Sequence, residues 1–175
     1  MVRIIAPGRS SLIVWELVMS DFSLAQNNPL LGTWKLISVS ATLDDGTVEG
    51  QAYGSNPNGY ITYTHEGRIL VILSRSDRSL LNGDIHSPLS QDINLVTIAE
   101  RAQAFSTFSA YAGTYTISGN IVTHHIEIAS IPNRVDTDLI RIFTLRENQV
   151  TLKTPPTMSN GVSKVFELVW QRIES

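Results

Sequence analysis

The 175-residue sequence predicts an all-β domain: an antiparallel up-and-down barrel of about eight strands with one amphipathic capping helix. Three observations predict it. Short apolar runs recur from residue 30 onward, each bounded by a turn signal. Several consecutive runs are joined by connections of two or three residues, which makes hairpins and hence a meander. One segment, 88–109, changes to helical spacing.

The elements follow in order. "TWKLISVSATL" (33–43) is the first strand, ended by the turn Asp44-Asp45-Gly46. "GYITYT" (59–64) and "RILVILS" (68–74) flank "HEG" (65–67), where Gly67 can take the positive φ of a tight hairpin. Within 88–109, Leu95, Ile98, Ala99, Ala102 and Phe105 fall on one helical face, with Glu100, Arg101 and Gln103 on the other. Ser90 or Asp92 is the expected N-cap, just after Pro88. This helix interrupts the meander between the third and fourth strands, and its apolar stripe is expected to cover one end of the barrel. "GTYTIS" (113–118) and "IVTHHIEIA" (121–129) flank Gly119-Asn120, a two-residue hairpin signal. In "IPN" (131–133), Asn133 is expected to shape the turn through a left-handed backbone. "LIRIFTL" (139–145) and "QVTLKT" (149–154) form another tight hairpin, and "VFELVWQRI" (165–173) is the last strand.

Length fits one barrel domain over 29–175, preceded by an N-terminal extension over 1–28. The extension holds the apolar run "LIVWELVM" (12–19), far short of the roughly 20 residues a membrane span needs. Arg3 and Arg9 ahead of that run, with "SLA" (23–25) behind it, allow a secretory signal, but Glu16 and Asp21 oppose it. Translation from Met19 is the other reading of the extension, and a cytoplasmic protein is expected, with export as the alternative. The absence of cysteine excludes disulfides, a thiolate nucleophile and zinc–thiolate sites. A net charge of −3 argues against a general nucleic-acid binder. "GSNPNG" (54–59) lacks the lysine and following helix of a phosphate loop, and the chain has no Gly-x-Ser-x-Gly elbow. No cofactor and no metal site are expected.

The candidate site starts from "VTHHIEIASIPN" (122–133). Successive strand side chains point to opposite faces, so His124 and His125 cannot share a metal. Val122, His124, Ile126 and Ile128 form the more apolar set and are placed inside the barrel. His125 is then outside, beside Glu127, as a solvated pair. On the following strand Leu139, Arg141, Phe143 and Leu145 share a face, and both faces are apolar, so parity stays open. If this set faces inward, Arg141 enters the barrel near His124, where a buried guanidinium calls for an anion. Tyr63, Tyr115 and Trp170 are further inward candidates by parity, with Tyr111 on the face of Tyr115. The expected ligand-contacting set is therefore His124, Arg141, Tyr63, Tyr115, Phe143 and Trp170.

"GTW" (32–34) opening the first strand and "LVWQR" (168–172) closing the last resemble the lipocalin or calycin barrels. That resemblance implies that the Arg172 guanidinium covers the Trp34 ring, making both structural. "LLGTWKL", "GYITYT", "YAGTYTI", "VTHHIEIASIPN", "RIFTL" and "TLKTPP", in order over about residues 30–173, resemble the bacterial and fungal lipocalin-like domain family. Relatives in biosynthetic gene clusters imply an isomerase or cyclase as one reading, with His124 as acid–base and Arg141 stabilising negative charge. The first expectation is binding of a small, largely hydrophobic molecule, with an acidic group to meet Arg141. A structural barrel filled by its own side chains is the third reading. A small-molecule ligand is the expected partner, and a homodimer is left open.

Overall fold

The computed structural model describes residues 28–159 and 161–173. Residues 1–27, with the expected apolar run at 12–19, lie outside the described residues. The chain divides into two units, 1–31 and 32–175, and the second is the barrel.

Ten strands form one antiparallel sheet: β1 (Gly32–Leu43), β2 (Val48–Glu49), β3 (Asn58–Tyr63), β4 (Arg68–Ser74), β5 (Phe108–Ser118), β6 (Ile121–Ala129), β7 (Asp138–Arg146), β8 (Gln149–Lys153), β9 (Thr157–Ser159) and β10 (Val162–Arg172). The order is β2-β1-β3-β4-β5-β6-β7-β8-β10-β9, and pairing of β1 with β10 closes eight of them into a barrel. Closure removes the sheet edges along those eight strands. The tight turns use the expected residues: Gly67 has φ 74° and Gly119 φ 60°. In β4 the alternation is clean, with Ile69, Val71 and Leu73 buried and Leu70 and Ile72 half exposed.

Two bulges break that alternation. Along β5 and β6, Ala112 pairs with Ile128 and Gly113 with Ile126, leaving Glu127 as the extra residue. An extra residue reverses parity beyond it. Val122, His124 and Ile126 face inward as expected, but Ile128 is 66% exposed, which corrects its assignment to the interior. The second bulge, between Leu36 and Ser38, lets both Leu36 and Val39 face the core.

The helical segment also differs from expectation. Ser90 caps a separate 3-10 turn, Gln91–Leu95, and helix α1 runs from Ile98 to Ser106. Its N-cap is Thr97, in a reciprocal capping box with Glu100. Its apolar stripe is not buried on the barrel: Ile98 is 81% and Phe105 57% exposed. The polar side is held instead. Glu100 Oε1 accepts from the Asn82 backbone N–H, Gln103 Nε2 donates to Ser79 Oγ, and Arg78 donates to the Ala104 carbonyl. These bonds fix the rotation of α1 against segment 78–82 and turn the stripe outward. Strand β5 begins at Phe108, ahead of the expected Gly113, because "FSAYA" carries no period-two signal of its own. Asn133 sits in the 3-10 turn Pro132–Arg134, and the left-handed residue is Asp136, φ 59°. No helix among the described residues is long and apolar enough to cross a membrane.

Candidate ligand cavity

The barrel interior is packed at one end and hollow at the other. At the packed end Trp34 and Arg172 face each other across the β1–β10 ladder, with the Arg172 Cζ 3.9 Å from the indole centroid. A guanidinium over a desolvated indole contributes about 1–2 kcal/mol. The next layer contains Tyr63, Val122, His124, Phe143 and Val150, all buried. Beyond it lies a cavity of about 260 Å³. Val39 of β1, Val71 and Leu73 of β4, Ser109 and Tyr111 of β5, Leu139 and Arg141 of β7 and Phe166 and Leu168 of β10 line it, and Ile61 and Trp170 are its lining residues nearest Trp34.

The cavity walls are mostly apolar, with Val39, Ile61, Val71, Leu152, Phe166 and Trp170 among them. Its polar lining is Tyr53, Ser109, Tyr111, Arg134, Arg141, Thr154 and Thr157, and no aspartate or glutamate lines it. Arg141 Nη1 donates to the Ile140 carbonyl at 2.7 Å, and Arg134 Nη1 donates to Ser109 Oγ at 3.0 Å. Among the described residues neither guanidinium has a carboxylate partner. Burial pushes the Tyr111 hydroxyl above the usual tyrosine range, opposed by the charges of Arg141 and Arg134. Burial likewise raises Tyr53, with Arg134 and Arg75 opposing. Two cations therefore set the potential of this pocket.

His124 does not line the cavity. It is fully buried, with Nε2 2.9 Å from the Tyr63 hydroxyl and Nδ1 3.1 Å from the Tyr111 hydroxyl. Burial, and then the charges of Arg141 and His125, lower its pKa to about 3, so the imidazole is neutral at ordinary pH. His124, expected as anchor or as acid–base, is set back from the cavity: both ring nitrogens are already engaged, and Tyr111 stands between it and the cavity.

Of the expected ligand-contacting residues, Arg141 and Trp170 line the cavity. The open parity of β7 is settled by Leu139 and Arg141 both facing in. Tyr63 lies beneath the cavity floor, bonded to His124. Tyr115 donates to the Thr64 carbonyl at 2.8 Å and packs edge-on against Tyr63, with centroids 4.9 Å apart. Phe143 belongs to the packed layer. Each of the three faces inward as parity requires, but at the wrong height along the barrel axis. The Trp170 ring forms wall while its indole N–H is buried with no partner among the described residues.

The sequence reading missed Arg134, Tyr53 and Ser109. Arg134 and Tyr53 sit on connections, where strand periodicity says nothing. The outer face is corrected too. His125 bonds Asp138 at 2.7 Å and Thr116 at 3.0 Å, and Glu127 forms a two-pronged pair with Arg68, so His125 and Glu127 are not each other's partners. The bulge at Glu127 separates them, and their exposed pairs contribute little. Among the described residues no three metal-ligating side chains cluster.

The model of the lipocalin-like domain family matches residues 31–173. Among solved structures, the chain is similar to a lipocalin-like protein from Bacteroides uniformis, at 12% identity over 83% of this chain and 100% of that one, with a TM-score of 0.40. It is also similar to an uncharacterised protein from Bacteroides eggerthii, at 13% identity over 79% and 98%, with a TM-score of 0.38. A search of curated proteins finds no match. With the family match spanning nearly all of the barrel, the chain belongs to the lipocalin-like domain family.

Proposed function

We propose that the barrel binds a small, largely apolar molecule carrying an acidic group, with Arg141 as the anchor for that group. One observation carries this reading: an apolar cavity lined by two guanidinium groups without a carboxylate partner among the described residues, and by no acidic side chain. A partly buried guanidinium is costly unless an anion meets it, and a ligand oxyanion supplies that charge. Arg134, held by Ser109, adds to the same potential from the β6–β7 connection. A volume of about 260 Å³, just below the usual range of roughly 300–1,000 Å³ for ligand pockets, limits the occupant to one small molecule. Sealing of His124 from the cavity favours binding over direct acid–base turnover by that residue.

The test uses two fluorescent probes of one shape. Anilinonaphthalene sulfonate carries an anion, and N-phenylnaphthylamine is the same ring system without it. The anionic probe is expected to bind the more tightly, and Arg141→Gln to weaken it roughly tenfold or more while leaving the neutral probe unchanged. Equal affinities of the two probes for the wild type, or an Arg141→Gln variant that holds the anion as well as the parent, count against this function.

A further inference from the structure

His124 bridges two phenols, and the donors and acceptors of that bridge can be assigned. A neutral imidazole has one N–H donor and one bare nitrogen acceptor. Its pKa of about 3 supports the neutral form, and so does its burial between two uncharged groups. Tyr63 is 1% exposed, and among the described residues its hydroxyl has one hydrogen-bond partner, His124 Nε2. A buried O–H left without an acceptor costs free energy, so the Tyr63 proton must point at Nε2. Nε2 is then the acceptor and the imidazole proton sits on Nδ1. The Nδ1–H donates to the Tyr111 oxygen at 3.1 Å. The Tyr111 proton cannot point back at an occupied N–H. Tyr111 lines the cavity, so that proton is left for whatever the cavity holds. The reverse polarity would have Tyr111 donating to Nδ1 and Nε2–H donating to Tyr63, stranding the Tyr63 proton in the core.

We infer that Tyr63, His124 and Tyr111 form a one-way hydrogen-bond chain that fixes the Tyr111 hydroxyl as a donor into the cavity, where it and Arg141 together hold a carboxylate oxygen of the ligand. This rests on the binding function proposed above and makes it more specific. The polar end of the site offers a phenol O–H beside a guanidinium, so it suits acceptor oxygens and disfavours ligand groups that can only donate. Tyr111 is a ligand-contacting residue, whereas Tyr63 and His124 are positioning residues with no access to the cavity. A chain ending in a fixed donor also explains why a fully buried histidine is held between two hydroxyls rather than replaced by an apolar side chain of the same volume.

Two measurements test this separately from the binding function. Nitrogen-resolved NMR of the imidazole in the ligand-free wild type is expected to show His124 neutral, with its proton on Nδ1, throughout about pH 5 to 8. A proton on Nε2, or a charged ring, overturns the chain whatever the protein binds. In titrations with the same two probes, Tyr111→Phe is expected to weaken anilinonaphthalene sulfonate about tenfold and to leave N-phenylnaphthylamine unchanged. Unchanged binding of the anionic probe by Tyr111→Phe overturns the donor role of Tyr111 while leaving Arg141 as anchor. If the wild type does not prefer the anion, the binding function fails even where the Nδ1 tautomer is found.

Discussion

Gly113→Ala is expected to destabilise the barrel by at least about 3 kcal/mol, or to prevent folding. A Cβ at Gly113 would collide with the His125 carbonyl oxygen and also meet the His125 carbonyl carbon at 3.0 Å and the Glu127 backbone N at 3.1 Å. All three are backbone atoms of β6, so no side chain can turn aside. The bulge at Glu127 accompanies this close approach of the two strands, and it is also what turns Ile128 outward. Relief would require separating β5 from β6, the strands that carry Tyr111 and His124. Gly50→Ala is the control. A Cβ there meets nothing within 4 Å, and stability is expected to stay within about 0.5 kcal/mol of the parent. Urea denaturation of both variants decides the matter, and a Gly113→Ala protein as stable as Gly50→Ala would show that the strands do not approach in this way.

His124→Ala carries the second large effect, a loss of about 3–5 kcal/mol. The substitution empties a fully buried site and leaves the Tyr63 hydroxyl without a partner in the core. The same residue gives stability a pH dependence. The folded pKa of about 3 lies below the ordinary histidine value of 6.5, so between those values the unfolded chain takes up a proton that the folded chain refuses. Stability is therefore expected to fall as pH drops from about 6.5 toward 3, with a slope approaching about 1.4 kcal/mol per pH unit from this group, and to lose that slope below 3. Above 6.5 the group contributes no pH dependence. Comparing denaturation of the wild type and His124→Gln at about pH 4.5 to 7 isolates it. Parallel pH profiles for the two proteins would mean that His124 takes up its proton in the folded state as readily as in the unfolded one.

Much of the fold was legible in the sequence because hairpins are local. Gly67 and Gly119 mark turns by backbone requirement alone, and period-two alternation in "RILVILS" (68–74) assigns faces without knowledge of the partner strands. The bulge at Glu127 was not legible, since an extra residue is defined by pairing with β5, and Ile128 was misplaced as a result. The helix was legible as a helix, but its rotation depends on where Asn82 and Ser79 find hydrogen bonds, which is tertiary information. For the site, parity put His124, Tyr63 and Trp170 in the barrel and left Arg141 open between the two faces of its strand. Parity gives the face and not the height. Tyr63 and His124 therefore fell in the packed layer, Arg141 and Trp170 reached the cavity, and Arg134 arrived from a connection outside the reach of periodicity. The two adjacent histidines in "VTHHIEIASIPN" (122–133) drew attention first, yet one is sealed in the core and the other pairs with Asp138 on the outside.

A crystal structure of the protein with anilinonaphthalene sulfonate tests the cavity as a binding site most directly. The rings are expected against Val39, Leu152, Phe166 and Trp170, with sulfonate oxygens about 3 Å from the Arg141 guanidinium and the Tyr111 hydroxyl. A probe seated instead in the outer apolar hollow formed by Leu70, Ile72 and Ile128, or one inside the barrel with its sulfonate turned away from Arg141, would contradict it.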